Sequence, residues 1–127
     1  MTFEKPTGWF NKFRNAFRGV YLGVRDQNSF AVHLPMAALV FGLAIILELP
    51  LSKVLLLTLC VTMVLTAELF NTAVEFLAKA ISNEFDENIR SALDIASGAV
   101  LVASMASAII GTIVLLPPLL TFLEIAG

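Results

Sequence analysis

Four polar residues follow a long apolar stretch and share one face of a predicted helix. Residues 54–67 read VLLLTLCVTMVLTA, which is typical of a membrane-spanning helix. The segment that follows contains Glu68, Asn71, Thr72 and Glu75. Their spacing of 3, 1 and 3 residues places all four on the same side of an α-helix. A carboxylate inside a bilayer costs on the order of 3 kcal/mol, so two of them on one face predict a binding or catalytic site.

Oxygen-bearing side chains elsewhere in the sequence could meet this helix face. Asp94 lies on the next predicted helix, and the step Asp26-Gln27-Asn28 follows the first one. Carboxylate and carbonyl oxygens suit Mg²⁺, which usually takes one or two protein carboxylates and completes its shell with substrate phosphates. A zinc or iron centre is not expected, because the chain has 1 His and 1 Cys. The P-loop route to ATP is excluded, since no G-x-x-x-x-G-K-S/T run occurs.

Two kinds of chemistry fit carboxylates near a membrane surface in a chain without a P-loop. The first is phosphoryl transfer to a lipid hydroxyl, in which one carboxylate positions or deprotonates the acceptor while metal ions bridge the nucleotide phosphates. The second is an ion or proton site in a small transporter, where intramembrane carboxylates are also typical. The spacing alone leaves both open. We interpret His33 as an interfacial or hydrogen-bonding residue rather than a catalyst.

The composition is that of a small membrane protein. The 127 residues are 58% hydrophobic and 14% charged, with a mean hydropathy of +0.89, whereas soluble domains have about 25% charged residues. We therefore expect an all-α integral membrane protein with a single domain, residues 1–127, and no nucleic-acid partner. No cleavable signal peptide is expected, because residues 1–20 lack an uninterrupted apolar core and a cleavage site. Cys60 has no second cysteine to pair with and is interpreted as a packing residue.

Four helices are expected to position the polar face. Residues 9–26 place aromatic side chains on one side and basic ones around the other, which predicts an amphipathic helix on the membrane surface. Transmembrane helices are predicted over 31–49, 52–81 and 88–116. Pro50 and Ser52 are interpreted as start residues for the middle span. The Pro117-Pro118 pair is expected to break or kink the last one.

The distribution of basic residues predicts the orientation in the membrane. Seven of the eight lie before the first predicted span or flank the loop between the second and third spans, and only Lys53 lies in the other short loop. Because cytoplasmic loops are enriched in Lys and Arg, the N-terminus and the carboxylate face should lie on the cytoplasmic side. The last helix is rich in small residues that allow close helix contacts. Three spans enclose little interior, so a homo-oligomer is favoured.

Two sequence blocks resemble one known family. The run A-E-L-F-N-T-A-V-E at 67–75 and the run D-I-A-S-G-A-V-L at 94–101 are similar to the signatures of the small bacterial integral-membrane lipid kinases, the diacylglycerol kinase and undecaprenol kinase group. The surface helix, the three spans and the polar loop with Glu84 also resemble it, from about residue 10 to about residue 116. The resemblance implies a homotrimer in the bacterial inner membrane, with composite active sites at subunit boundaries, that uses Mg²⁺ and ATP.

The resemblance also implies roles for individual residues. Glu68 resembles the catalytic base that acts on the lipid hydroxyl, and Ser97 falls where the family contacts its lipid substrate. Glu75 and Gln27 correspond to the metal-binding positions. The positions implied to bind the nucleotide are Gln27, Asn71, Glu75, Glu84, Phe85, Asp86 and Asp94.

Three positions depart from the family pattern. Gln27 stands where a second metal-binding Glu is common, so a second metal should bind more weakly through an amide oxygen. Leu93 stands where a Lys that contacts ATP phosphates is frequent, and Arg90, one turn earlier, is a non-equivalent substitute. Lys79 stands where an acidic residue is usual. The prediction is a lipid kinase acting on diacylglycerol or undecaprenol, and the alternative is a non-catalytic relative or a small oligomeric ion-binding module.

Overall fold

Four helices make up the described part of the chain. The computed structural model describes residues 8–25, 28–81 and 84–126. The helices are α1 Trp9–Arg25, α2 Asn28–Ile46, α3 Leu51–Ile81 and α4 Glu87–Ala126. Helices suit these apolar segments because a helix satisfies its backbone N–H and C=O groups internally, which an apolar surrounding requires. The all-α prediction is confirmed for the described residues.

Helix α1 leaves its aromatic face uncovered and contacts α3 near its C-terminal end. Its five aromatic side chains are between 60% and 79% exposed, namely Trp9, Phe10, Phe13, Phe17 and Tyr21. The approach to α3 occurs at Gly23, where an added Cβ would lie 2.5 Å from Leu69 Cδ2. Glycine therefore allows α1 to pack beside the turn of α3 that contains the polar residues. The placement of α1 on a lipid surface stays a prediction, with which the uncovered aromatic face agrees.

A tight turn joins α2 to α3. Glu48 has a positive φ of 51°. Its amide donates a hydrogen bond to Ile45 O at 3.1 Å, and the next amide donates to Ala44 O at 3.1 Å. These two bonds form a Schellman motif, which satisfies carbonyls at the end of α2. The Pro50 carbonyl then accepts hydrogen bonds from the amides three and four residues later, at 3.0 and 3.2 Å, so α3 starts where the sequence predicted.

Helices α2, α3 and α4 pack side by side in alternating directions. A small core joins them through Ala44 on α2, Leu57 on α3 and Val114 on α4. About one turn further along α3, Ser107 Oγ donates a 3.1 Å hydrogen bond to Cys60 O. A step forward along α3 is thus matched by a step backward along α4, which defines an antiparallel pair. This register decides which polar residues of the two helices lie at the same level.

Two helices are long and apolar enough to cross a membrane. Averaged over an apolar stretch of 18 residues, the mean hydropathy is 2.0 within Leu51–Ile81 and 2.4 within Glu87–Ile125. Only 28% of this stretch in α3 and 11% of it in α4 is buried inside the protein. Most of the apolar surface of the two helices therefore needs lipid or another protein chain. Within the described residues a third span is obtained only when α1 and α2 are taken together as one bent pair. Two of the three predicted spans are therefore confirmed by length and composition.

Helix α4 is longer than the sequence predicted. It continues through Pro117 and Pro118 and ends at Ala126, so a break after residue 116 is wrong, and the alternative of a kink at the pair stays a prediction. The two prolines remove two amide donors. Continuing as a helix keeps the backbone hydrogen bonds of the following apolar residues satisfied within the segment. Thr121 Oγ1 adds a 3.1 Å hydrogen bond to Pro117 O within this turn.

Candidate active site on helix α3

The polar face predicted on α3 is present and largely buried. Glu68, Asn71 and Thr72 are 3%, 9% and 3% exposed, and Glu75 is half-buried two turns after Glu68. The cause is the helical repeat, because residues three, four and seven apart share one side. An unpaired buried charge is costly, so the contacts of these side chains indicate what the face is built to do.

Asn71 and Glu75 form a hydrogen-bonded pair on successive turns of α3. Asn71 Nδ2 donates to Glu75 Oε1 at 3.0 Å. The carbonyl oxygen of the same amide, Asn71 Oδ1, is buried and has no hydrogen-bond partner among the residues that the structure describes. Leaving a buried acceptor unsatisfied costs about 1–3 kcal/mol. A cation or a donor from a bound substrate would remove that cost.

The donor set of this pair fits Mg²⁺. Glu75 offers a carboxylate, and Asn71 Oδ1 offers a carbonyl oxygen beside it. Mg²⁺ needs only one or two protein carboxylates when substrate phosphates complete its shell. Across residues 8–25, 28–81 and 84–126, no three His, Cys, Asp or Glu side chains are grouped so that they could hold a metal ion by themselves. Gln27, the other predicted metal ligand, lies outside the described residues.

His33 on α2 contacts Glu68 on α3. His33 Nε2 lies 2.9 Å from Glu68 Oε1. The Glu68 side chain is 4% exposed and the His33 side chain 24%, so this contact is largely shielded from water. The sequence predicts an interfacial or hydrogen-bonding role for His33, and the structure identifies Glu68 as its partner. The turn between α2 and α3 makes the two helices antiparallel neighbours, and counting equal lengths of helix from it brings residue 33 only to within about one turn of residue 68.

The predicted nucleotide and lipid residues of α4 lie near its exposed start. Asp94 and Ser97 are both exposed. Arg90 Nε is 4.0 Å from Asp94 Oδ2, and these side chains are 69% and 75% exposed, so the pair is long and open to solvent. The antiparallel register places Asp94 at about the level of Glu75 along the two helices. The binding roles of Asp94 and Ser97 stay predictions.

The loop before α4 has a structural task in the described structure. Asp86 Oδ1 accepts hydrogen bonds from Asn88 N at 2.8 Å and Ile89 N at 3.1 Å, which makes Asp86 the N-cap of α4. Glu84 and Phe85 are exposed beside it. Nucleotide binding by these three residues stays a prediction, and for Asp86 it would have to coexist with the cap.

A mostly apolar cavity of about 570 Å³ lies between α2, α3 and α4. Its lining includes His33, Val64 and Ser104, one from each helix. Because His33 also contacts Glu68, the buried carboxylate and the apolar cavity adjoin at this histidine.

These features define a class of protein, a helical membrane protein whose spanning helix buries carboxylate and amide side chains on one face. The family model described as prokaryotic diacylglycerol kinase matches residues 14–115, which is most of the chain. The chain belongs to this family. The family resemblance found in the sequence blocks at 67–75 and 94–101 is therefore confirmed.

Two relatives have names that specify different lipid acceptors. A diacylglycerol kinase of Synechocystis sp. is 36% identical over 112 residues, which are 87% of this chain and 64% of that protein. An undecaprenol kinase of Bacillus subtilis is 31% identical over 111 residues, which are 87% of this chain and 90% of that protein. The alignment thus covers slightly less than two thirds of the first relative and most of the second.

Proposed function

We propose that this protein is a Mg²⁺- and ATP-dependent lipid kinase that transfers the γ-phosphoryl group of ATP to the hydroxyl of a membrane lipid, diacylglycerol or undecaprenol. The observation on which the proposal depends is Glu68, a carboxylate that is 3% exposed on a helix apolar enough to span a membrane. An acceptor that stays in the bilayer must meet its base at such a position. The family match and the two kinase relatives support the same chemistry.

Glu68 is the base for the lipid acceptor in this proposal. Its carboxylate takes the proton of the lipid hydroxyl while the hydroxyl oxygen attacks the γ-phosphorus. The new O–P bond forms as the bond between the γ-phosphorus and the bridging oxygen breaks, and ADP leaves with that electron pair. Burial of the carboxylate also limits the access of water, which would otherwise compete as the phosphoryl acceptor.

The pair of Asn71 and Glu75 holds the metal end of the site. Mg²⁺, when bound, supplies charge neutralisation to the transferred phosphoryl group and to the leaving ADP. Glu75 and Asn71 Oδ1 are the ligands, and the hydrogen bond from Asn71 Nδ2 fixes the orientation of the carboxylate. Gln27 adds an uncharged ligand. The nucleotide also contacts Glu84, Phe85, Asp86 and Asp94. The lipid contacts Ser97.

The kinase crosses the bacterial inner membrane three times as a homotrimer. Helices α3 and α4 are two of the spans, α2 is the third, and α1 lies on the cytoplasmic surface. The position of seven of the eight basic residues supports a cytoplasmic site. Only 11% of the apolar stretch of α4 is covered by its own chain, which leaves surface for neighbouring subunits as well as for lipid.

A second candidate function is that of a non-catalytic relative or an ion-binding oligomer. Leu93 and Gln27 favour it, because a leucine cannot contact phosphates and an amide brings no charge to a metal. The buried oxygen of Asn71 would serve a cation without any nucleotide. Binding of ATP therefore separates this candidate from the kinase.

Transfer of labelled γ-phosphate from Mg-ATP tests the proposal with purified protein in bilayers that contain either diacylglycerol or undecaprenol. We expect label in at least one lipid and a loss of at least about 100-fold in Glu68→Gln, with the oligomer unchanged in size. Retained transfer in Glu68→Gln would remove the role of base from Glu68. No label in either lipid, together with no binding of ATP, would favour the non-catalytic candidate.

A further inference from the structure

We propose that His33 is a positioning residue for Glu68, a role that depends on the kinase function proposed above. The two side chains come from different helices and meet at 2.9 Å between Nε2 and Oε1. Their contact is largely buried, with the Glu68 side chain only 4% exposed. A carboxylate held by a fixed donor in such surroundings has far less freedom than one in water.

The two oxygens of the Glu68 carboxylate then have separate tasks. Oε1 lies 2.9 Å from His33 Nε2 and accepts its hydrogen bond in this proposal, and Oε2 receives the proton of the lipid hydroxyl. Rotation of a free glutamate carboxyl group is broad and nearly unrestricted. The histidine contact removes this freedom before the acceptor arrives, and orientation of a reacting group in advance lowers the barrier.

A purely structural role for His33 makes the opposite prediction. His33 also lines the apolar cavity between α2, α3 and α4. If the ring only filled space there, an apolar ring of similar size would preserve turnover. If it positions Glu68, turnover should instead depend on an N–H donor at the distance of Nε2 from the backbone.

Three substitutions of His33 separate these roles. His33→Gln places an amide nitrogen at about the reach of Nε2, His33→Asn places one at about the reach of Nδ1, and His33→Phe keeps a ring without a donor. We expect His33→Gln to keep kcat within about fivefold of the wild type. His33→Phe and His33→Asn should lose about 10- to 100-fold in kcat, as is typical when a partner that orients a functional group is removed. The KM for ATP should be unchanged in all three.

The contact itself can be measured without any activity, because the chain contains 1 histidine. Protein labelled with ¹⁵N-histidine therefore gives a single pair of imidazole nitrogen resonances in detergent micelles or bilayers. Glu68→Gln should move the Nε2 resonance. Glu48→Gln makes the same change of charge in the exposed turn at the far end of α2, about 22 Å away along the helix, and should leave the resonance in place.

The outcomes distinguish failure of this inference from failure of the proposed function. If the wild type labels a lipid and His33→Phe keeps full kcat, the positioning role is overturned and the kinase stands. An unmoved Nε2 resonance in Glu68→Gln overturns the contact, and equal losses in His33→Gln and His33→Phe overturn the need for a donor. If the wild type labels no lipid, the proposed function fails and the role of His33 falls with it, even if the resonance shows the contact.

Discussion

Asn71 Nδ2 donates a 3.0 Å hydrogen bond to Glu75 Oε1, while Asn71 Oδ1 stays buried without a partner among the described residues. Glu75 determines this orientation, because turning the amide around would bring two oxygens together. The donor end of the amide therefore orients the carboxylate, and the acceptor end remains beside it. A carboxylate oxygen and an amide oxygen are thus placed together on one helix, and both are ligand types that suit a small hard cation.

Asn71→Leu tests whether this amide serves a metal. The substitution removes both the orienting donor and the orphaned oxygen, so the Mg²⁺ concentration for half-maximal activity should rise about 10- to 100-fold. The free energy of unfolding should not fall, because a buried unsatisfied acceptor is removed at the same time. A magnesium titration and an unfolding titration of the same preparation measure both. Thr72→Val is the matched control for local packing, and an equal shift of its magnesium midpoint would contradict the assignment.

Gln27→Glu tests the departure from the family pattern at the second metal position. A carboxylate in place of the amide adds charge to a hard-cation site, so the magnesium midpoint should fall by on the order of tenfold. Asn28→Asp adds the same charge one residue away and serves as the control. A midpoint that does not move in Gln27→Glu, or that moves equally in Asn28→Asp, would rule out direct coordination by residue 27.

The polar face of α3 could be predicted because it depends on one helix only. The 3.6-residue repeat groups Glu68, Asn71 and Thr72, and the cost of a carboxylate in lipid implies that the group is buried and functional. The structure confirms the burial, with exposures of 3%, 9% and 3%. The contact of His33 with Glu68 depends instead on the register between two helices. That register is determined by the turn geometry at Glu48, which hydrophobic patterning does not reveal.

Two local features were assigned incompletely or wrongly from the sequence for opposite reasons. Asp86 directly before the helical pattern of α4 is an N-cap signal, whereas the family resemblance implies only a nucleotide role for this residue. The Pro117-Pro118 pair predicts a break or a kink, because proline inside a helix removes an amide donor and clashes with the preceding turn. The backbone groups of the apolar residues that follow still pair within the helix, and α4 continues as far as Ala126.

Asp86 allows the cap and the predicted nucleotide contact to be tested separately. Asp86→Ala should lower the free energy of unfolding by about 1 kcal/mol, whereas Asp86→Asn should leave it nearly unchanged because asparagine caps helices equally well. If the carboxylate also contacts the nucleotide, both variants should raise the KM for ATP about fivefold. Kinetics and unfolding of the two variants measure this. An unchanged KM in Asp86→Asn would limit the residue to its structural task.

Glu48 should be destabilising where it stands, and its substitution tests the turn that sets the α2–α3 register. A non-glycine residue with a φ of 51° in the left-handed region costs about 1–2 kcal/mol, and its negative charge faces the negative end of the α2 dipole. Glu48→Gly removes both costs but gives the unfolded chain more freedom, so a net gain of about 0.5–1 kcal/mol is expected. Glu48→Gln removes only the charge and should gain less. Unfolding titrations in mixed micelles compare them, and a Glu48→Gly variant no more stable than Glu48→Gln would show that the left-handed conformation costs no more than the extra freedom that glycine gives the unfolded chain.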